Sequence, residues 1–212
     1  MNKIILFDLD GTLIDSTEAI LESFSVAFQS LNTPVPADAL IEVEIGHPLD
    51  VMFITLGIEE EKVWDYVSAY KAHYQKIFCE KTLLLPQAKE ALEEANTFAT
   101  LGVVTTKTAK YSIELLKDMG LMQYFKVLIG REDVIHPKPH PEPIEKALLK
   151  LPSDTSSVWM IGDTCMDMLA AKSANVGRVA VTCGYGNTDT LMQCSENIYK
   201  NALEAVRYIA KV

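Results

Sequence analysis

Two kinds of apolar pattern alternate along the chain. Five short runs are continuous: Lys3 to Leu9, Ala99 to Thr105, Lys126 to Ile129, Ser157 to Ile161 and Arg178 to Thr182. Runs of that length and apolar density suit parallel strands buried on both faces. Between them the apolar residues recur at helical spacing. Ala109 to Met119 carries Ile113, Leu115 and Leu116 and stops at Gly120, a good left-handed C-terminal cap. Pro141 to Leu151 opens on prolines and continues through Ile144, Ala147, Leu148 and Leu151. Met166 to Ala174 and Ala202 to Ala210 follow the same period. Strands alternating with helices predict βαβ units, hence an α/β fold with a Rossmann-like, doubly wound parallel sheet.

One stretch breaks the alternation. From Asp15 to about Leu84 the period is helical throughout. Asp15 or Ser16 is placed to cap a helix with Glu18 in its first turn, running through Ile20, Leu21, Phe24, Ala27, Phe28 and Leu31 to the Pro34-Val35-Pro36 turn. A second long helix, Glu59 to Phe78, carries Val63, Tyr66, Val67, Tyr70, Tyr74 and Ile77. Tyrosines at that spacing read as core of the insert rather than as a stacking platform. The predicted organisation is a core of residues 1–14 and 85–212, interrupted by an all-α insert of residues 15–84.

Composition narrows the function. The chain has 212 residues, more than one minimal core needs and little for two full domains. Its hydrophobic share, 49%, excludes disorder, and no window approaches the roughly 20 apolar residues of a membrane span. The segment from Met1 to Asp8 is too short for a signal peptide, so the expected location is the cytoplasm. Against 19 basic residues stand 29 acidic ones, a net charge of −10. Such a surface repels a phosphate backbone, so neither nucleic acid nor membrane is an expected partner. An anionic substrate has to be small and met locally, by a metal or a few cations. Cys79, Cys165, Cys183 and Cys194 show no CxxC pairing and are expected as reduced thiols, with neither disulfide nor zinc. Cys165 reads as a small packing residue.

The strand ends carry the chemistry, as doubly wound sheets require. Asp8-Leu9-Asp10-Gly11-Thr12-Leu13 closes the first run. Two carboxylates so near repel unless a cation lies between them or one stays protonated. They read as a nucleophile and a general acid/base at a metal; the alternative is an ordinary Asp-Gly-Thr turn. Gly162-Asp163-Thr164-Cys165-Met166-Asp167 follows the fourth run, with Asp163 at the start of a helix and Asp167 one turn on. A plain N-cap is the alternative for Asp163. Hard divalent ions such as Mg²⁺ prefer oxygen ligands, which two strand-end acid pairs would supply. Val103-Val104-Thr105-Thr106-Lys107 ends a strand on a hydroxyl, and in His136-Pro137-Lys138-Pro139-His140-Pro141 the prolines fix where the Lys138 ammonium points. Arg131-Glu132-Asp133 reads as a solvated turn, His140 as structural, and His73 and His136 have no evident partner.

Together these segments resemble the haloacid-dehalogenase (HAD) superfamily of aspartate-nucleophile hydrolases. Motif one is matched by Asp8 to Leu13, motif two ends at Thr105, motif three is Lys138, and motif four is Gly162 to Asp167, in order along essentially the whole chain. The insert is similar to the C1-type helical cap of the phosphoglycolate phosphatase-like branch, subfamily IA. Leu13-Ile14-Asp15-Ser16, Ile45-Gly46-His47-Pro48-Leu49 and Cys183-Gly184-Tyr185-Gly186 also resemble that branch. Some positions depart from it. Gln87 replaces the glycine usual after the proline that reopens the core, Thr106 stands where many relatives carry asparagine, and Ala174-Asn175 replaces a common Ala-Gly.

The resemblance implies phosphoester hydrolysis through an aspartyl-phosphate. Asp8 would attack phosphorus, and Asp10 would protonate the leaving alcohol and then activate water. Mg²⁺ is implied on Asp8, Asp163 and the Asp10 backbone carbonyl, with Asp167 in direct or supporting contact. Thr105, together with Gly11, Thr12, Thr106 and Lys107, is the implied phosphate cradle, and Lys138 is to charge-stabilise Asp8 and phosphate. His47 is implied as a substrate contact from the insert. A carboxylate at position 10 points to a phosphatase rather than a dehalogenase or phosphonatase. The expectation is a Mg²⁺-dependent phosphatase for a small phosphorylated metabolite, 2-phosphoglycolate first, working as a monomer or homodimer. A sugar-phosphate mutase, a pyrophosphatase or a non-catalytic phosphate-binding regulatory module stays open at this point.

Overall fold

Lys3–Phe7 (β1) buries Ile5, Leu6 and Phe7 completely, so this strand needs neighbours along both edges and cover on both faces. A computed structural model, describing residues 3–151, 155 and 157–212, supplies them. Met1 and Asn2 of the predicted core segment lie outside the described residues. Short strands β2 (Ile14–Asp15) and β3 (Leu83–Leu84) stand where the chain leaves the core and rejoins it. The remaining strands are β4 (Ala99–Val104), β5 (Phe125–Ile129), β6 (Ser157–Gly162), β7 (Gly177–Val181) and β8 (Ile198–Tyr199). With β1 they form a six-stranded sheet in the order β5-β4-β1-β6-β7-β8, parallel throughout.

This is the doubly wound α/β arrangement that the alternation predicts. The chain builds outward from β1 through β4 to β5, then returns to the other side of β1 with β6. That reversal opens a crevice at the carboxyl ends of β1, β4 and β6. The helices are α1 (Thr17–Ser30), α2 (Asp38–Glu42), α3 (Leu49–Thr55), α4 (Val63–Ile77), α5 (Ala88–Ala95), α6 (Ala109–Asp118), α7 (Glu142–Leu149), α8 (Cys165–Ser173), α9 (Thr188–Cys194) and α10 (Ala202–Lys211). One face of the sheet packs Ile4, Leu6, Val127 and Met160 against Ile144 and Ala147 of α7 and Ala170 and Ala171 of α8. Among the described residues no helix is long and apolar enough to cross a membrane.

Three elements of the core are additional to those predicted: α5, α9 and β8. The buried stripe of α5 is Ala88, Ala91, Leu92 and Ala95, almost all alanine, with charged residues on the other side. Only Leu191 is buried in α9, and β8 is two residues long.

The chain divides into two compact units: one up to Asp15 and again from Leu84 to Val212, the other Ser16–Leu83. The second unit is held by an aromatic cluster. Phe24 lies 4.5 Å from Phe53 and 5.1 Å from Tyr70, and Phe28 lies 5.3 Å from Tyr66, measured between ring centroids. Tyr66, Tyr70 and Tyr74 are all buried, so the tyrosine stripe is core. His73 does have a partner: its Nε2 lies 2.8 Å from Glu22 Oε1, while Lys81 Nζ binds Glu22 at 2.5 Å and Glu18 at 2.7 Å.

Gln87 and Asn175, both noted as standing where relatives carry glycine, adopt left-handed backbone with φ of 63° and 55°. Asparagine tolerates that conformation, whereas glutamine there is strained by about 1–2 kcal/mol. Gln87→Gly is expected to stabilise the chain by about 0.5–1 kcal/mol after glycine's extra unfolded-state entropy is subtracted. The check is thermal unfolding, with an expected rise of roughly 2 °C. A fall would show that the exposed bond from Asn201 Nδ2 to Gln87 Oε1, 2.8 Å, outweighs the strain.

Candidate active site

The ladder itself delivers the first functional group. Asp8 N–H donates to the Ile161 carbonyl at 2.9 Å, extending β1 by one residue and leaving the Asp8 side chain at the strand end. Likewise Thr105 N–H bonds the Ile129 carbonyl at 3.0 Å, and Asp163 follows directly on β6. Because β1 lies between β4 and β6, residues distant in sequence converge. Asp8, Asp163 and Asp167 each bring a carboxylate oxygen within 4.8 Å of the others, and all three are buried.

Lys138 is buried among them. Its ammonium donates to Asp167 Oδ1 at 2.5 Å and to the Val104 carbonyl at 3.1 Å, and forms an ion pair with Asp8 Oδ1 at 2.9 Å. The loop that carries it is tied down by Glu142 at the start of α7. Ile135 and His136 N–H donate to the two Glu142 oxygens at 3.0 and 2.8 Å, and Glu142 N–H donates to His140 Nδ1 at 3.1 Å. His136 and His140 also lie ring to ring in a tilted arrangement, centroids 4.8 Å apart, which gives His136 its partner.

Motif four divides its labour differently from the simplest reading. Thr164, not Asp163, caps α8. Asp167 closes the capping box, its Oδ2 accepting from Thr164 N–H at 3.1 Å and Thr164 Oγ1 at 2.7 Å, while its Oδ1 faces Lys138. Gly162 leaves the room this needs, since a Cβ there would overlap the Asp167 carboxylate. Asp163 is therefore free of capping. It accepts from Tyr185 N–H at 2.8 Å and from Thr12 Oγ1 at 3.4 Å. Gly11, at φ +76°, and Gly184 have no room for a Cβ because the Asp163 carboxylate occupies it, and Gly186 lies as close against the Asp163 carbonyl. The Gly184-Tyr185-Gly186 loop after β7 thus wraps Asp163, a use that only its two glycines at a strand end could have signalled.

The other predicted groups have partners or positions of their own. Thr12, expected in the phosphate cradle, turns its hydroxyl to Asp163. Lys107, expected there too, places its ammonium 3.1 and 3.0 Å from the two Asp10 oxygens, with the two side chains only 9% and 13% exposed. It holds the acid/base candidate. Thr105 Oγ1 accepts from Lys107 N–H at 3.2 Å, and Thr106 is half-buried between them. His47 belongs to the Ser16–Leu83 unit, between α2 and α3, and is not part of the core cluster. Glu132 is more than a solvated turn: it accepts from Ala109 N–H at 2.9 Å and so caps α6, which Thr108 does not.

The expectation of reduced thiols is overturned for two of the four cysteines. Cys165 at the start of α8 and Cys194 at the end of α9 form a disulfide, with Cα atoms 5.7 Å apart. The helices pack side by side, and a separation of 29 residues leaves no trace in local spacing. Cys183 donates to the Gly11 carbonyl at 3.4 Å, and burial, then Asp163, pushes its thiol up to about 11.

The site is charged beyond its own means. Burial pushes Asp8 up to about 7, with Lys138 opposing and Asp167 adding to the rise. Asp163 is raised well above the usual range by burial, then by Asp167 and Asp8. Burial works against the Lys138 charge, yet Asp167 and Asp8 outweigh it and drive its pKa upward. Three buried carboxylates face one ammonium. Asp8 Oδ1, moreover, has an ion pair but no aligned hydrogen bond among the described residues. Hard oxygen donors, surplus negative charge and an oxygen short of a partner fit a divalent cation.

A parallel switch-point sheet with a strand-end aspartate pair, a buried lysine and a second acid pair is the arrangement of a hydrolase with an α/β fold. The chain belongs to the haloacid dehalogenase-like hydrolases, whose family model matches residues 5–181. A "Probable phosphatase IndB" of Dickeya dadantii is 33% identical over 213 residues, covering 97% of this chain and 92% of its own length. A phosphoglycolate phosphatase of Colwellia psychrerythraea is 29% identical, covering 90% and 89%. Among solved structures, the haloacid dehalogenase-like family protein SP0104 of Streptococcus pneumoniae matches with a TM-score of 0.87 at 29% identity, over 98% of each chain. The chain is a hydrolytic enzyme whose relatives are phosphatases.

Proposed function

We propose that this chain is a Mg²⁺-dependent phosphatase for small phosphorylated metabolites, 2-phosphoglycolate first among them, working through an aspartyl-phosphate. The reading places it in the cytoplasm as a monomer or homodimer, with no nucleic-acid or membrane partner. The observation that carries it is the buried Asp8, Asp163 and Asp167 cluster with its one ammonium, set at the switch point of the sheet. Asp8, Asp163 and the Asp10 backbone carbonyl would hold the metal, with Asp167 supporting through Lys138 and Thr164. Bound there, Mg²⁺ supplies positive charge to the phosphoryl oxygens.

The chain's own residues do the rest. Asp8 is the nucleophile, aligned by its backbone bond to β6 and steadied by Lys138, whose charge also offsets that of the transferring group. Thr105 keeps a hydroxyl hydrogen to donate to a phosphoryl oxygen, with Gly11 and Thr106 lining the same strand ends. Asp10, oriented by Lys107, gives its proton to the leaving alkoxide and later takes one from water, a service worth roughly 10²–10⁴ in rate. His47 is a substrate contact on the family resemblance alone. The relative named phosphoglycolate phosphatase supports the first-choice substrate.

The test is turnover of p-nitrophenyl phosphate and of a panel of phosphometabolites, with Mg²⁺ and after chelation. Activity should vanish on chelation and return with Mg²⁺. Asp10→Asn should accumulate phosphorylated protein, visible by intact mass, because the second step lacks its base. Dephosphorylation at the wild-type rate would remove Asp10 from that role, and a panel that excludes 2-phosphoglycolate would remove only the substrate assignment.

A further inference from the structure

We infer that Cys165 and Cys194 are a reversible thiol–disulfide pair that sets how firmly Asp163 is held for its metal, an inference that rests on the metal reading above. Cys165 is the first residue of α8, two positions after Asp163 and two before Asp167. Its partner, Cys194, is the last residue of α9. That helix begins just beyond the Gly184-Tyr185-Gly186 loop, capped by Asn187, whose side chain accepts from Asp189 and Thr190 N–H.

The loop is what Asp163 leans on. Tyr185 N–H donates to Asp163 Oδ2 at 2.8 Å, and Gly186 sits against its carbonyl. Yet α9 is anchored lightly. Its one buried residue, Leu191, packs on Met168 of α8 and Ala180 of β7. Arg178 Nε of β7 donates to the Cys194 carbonyl at 3.1 Å, and the disulfide is the third anchor, joining α9 to the very helix that Asp163 precedes. Closed, it ties the far end of α9 to the start of α8; open, it leaves α9 to Leu191, the Arg178 bond and the Asn187 cap, and the loop to Tyr185, whose hydroxyl donates to Asp15 Oδ1 at 3.3 Å. Both cysteines are partly exposed, within reach of a small oxidant. Cys183 is engaged with the Gly11 carbonyl. Disulfides of cytoplasmic proteins, the location proposed above, are usually transient or redox-sensing.

The chemistry closes with a peroxide as oxidant. One Sγ attacks a peroxide oxygen, breaking O–O, forming a sulfenic acid and releasing water. The other Sγ displaces the hydroxyl, which leaves as a second water as the S–S bond forms. Two thiols lose two electrons and two protons, and one hydrogen peroxide is reduced to two waters. A small dithiol reverses the change by exchange.

The experiment uses the full chain, treated with hydrogen peroxide or with dithiothreitol. Linkage is read by alkylation and peptide mapping, and Mg²⁺ binding from the shift in unfolding temperature against Mg²⁺ concentration. Peroxide should yield the Cys165–Cys194 linked peptide and a Mg²⁺ half-saturation about tenfold lower than in the reduced form, the low end for losing a supporting contact at a metal site. Cys165→Ser and Cys194→Ser should each sit at the reduced value under both treatments; the latter leaves the Asp163 to Asp167 segment untouched. The proposal is overturned if no linked peptide forms, if both forms bind Mg²⁺ equally, or if the difference persists in Cys194→Ser. Absence of Mg²⁺ binding in either form overturns the metal reading and this coupling with it, whereas equal binding overturns the coupling alone.

Discussion

Asp8→Asn abolishes turnover, with an expected loss on the order of 10⁴-fold or more, as for removal of a covalent nucleophile. The fold stays. The amide is isosteric with the carboxyl and relieves a burial that the charge resists, since burial holds the Asp8 carboxyl at about 7 against an ordinary 3.8. A pH signature follows. Between those two values the folded, metal-free chain keeps a proton that the unfolded chain gives up. By linkage, stability then falls as pH rises through that window, and the full contribution is present only below about pH 4. Unfolding temperatures of the metal-free protein from about pH 5 to about pH 8 should therefore decline, and the decline should flatten in Asp8→Asn, leaving the share that Asp163 contributes in the same direction. A wild-type curve that climbs across this range contradicts the assignment, as does retained turnover of p-nitrophenyl phosphate by the variant.

Lys138→Met is expected to be the most destabilising change in the site. Methionine fills the space of the stem and removes the ammonium, leaving Asp8 and Asp167 buried without their shared cation. Breaking a buried pair from one side costs about 3–5 kcal/mol. In a chain of this size that is roughly 10 °C of unfolding temperature. The substitution also removes charge from the transferring phosphoryl group, so turnover should fall with stability. Added Mg²⁺ should return part of the lost temperature, because a cation among the same carboxylates replaces some of the missing charge. A shift of less than about 2 °C would show that the three carboxylates do not depend on this ammonium.

Asp8, Thr105 and Asp163 are legible in the sequence because each ends a continuous apolar run. A polar group in that position marks a strand's carboxyl end, where a doubly wound sheet binds its ligand. Lys138 is legible because prolines hold it. Lys107 is legible as a cation at a strand end, but its ion pair with Asp10, 97 residues away, is not. The Gly184-Tyr185-Gly186 loop is visible as a motif but not as the support of Asp163, for the contact crosses from β7 to β6. Cys165 and Cys194 look unrelated along the chain and meet only because α8 and α9 lie side by side.

The sequence by itself determines the alternation of strand and helix, the helical interruption after β1 and the residue types at the strand ends. Those features are local, written in hydrophobic period and in punctuation by proline, glycine and aspartate. Which charge faces which is decided by the tertiary structure alone. The order β5-β4-β1-β6-β7-β8 sets Asp8 beside Asp163, carries Lys138 between Asp8 and Asp167 and hands Asp10 to Lys107. Strand order is a long-range outcome of how the whole sheet buries its faces, and no local pattern encodes it.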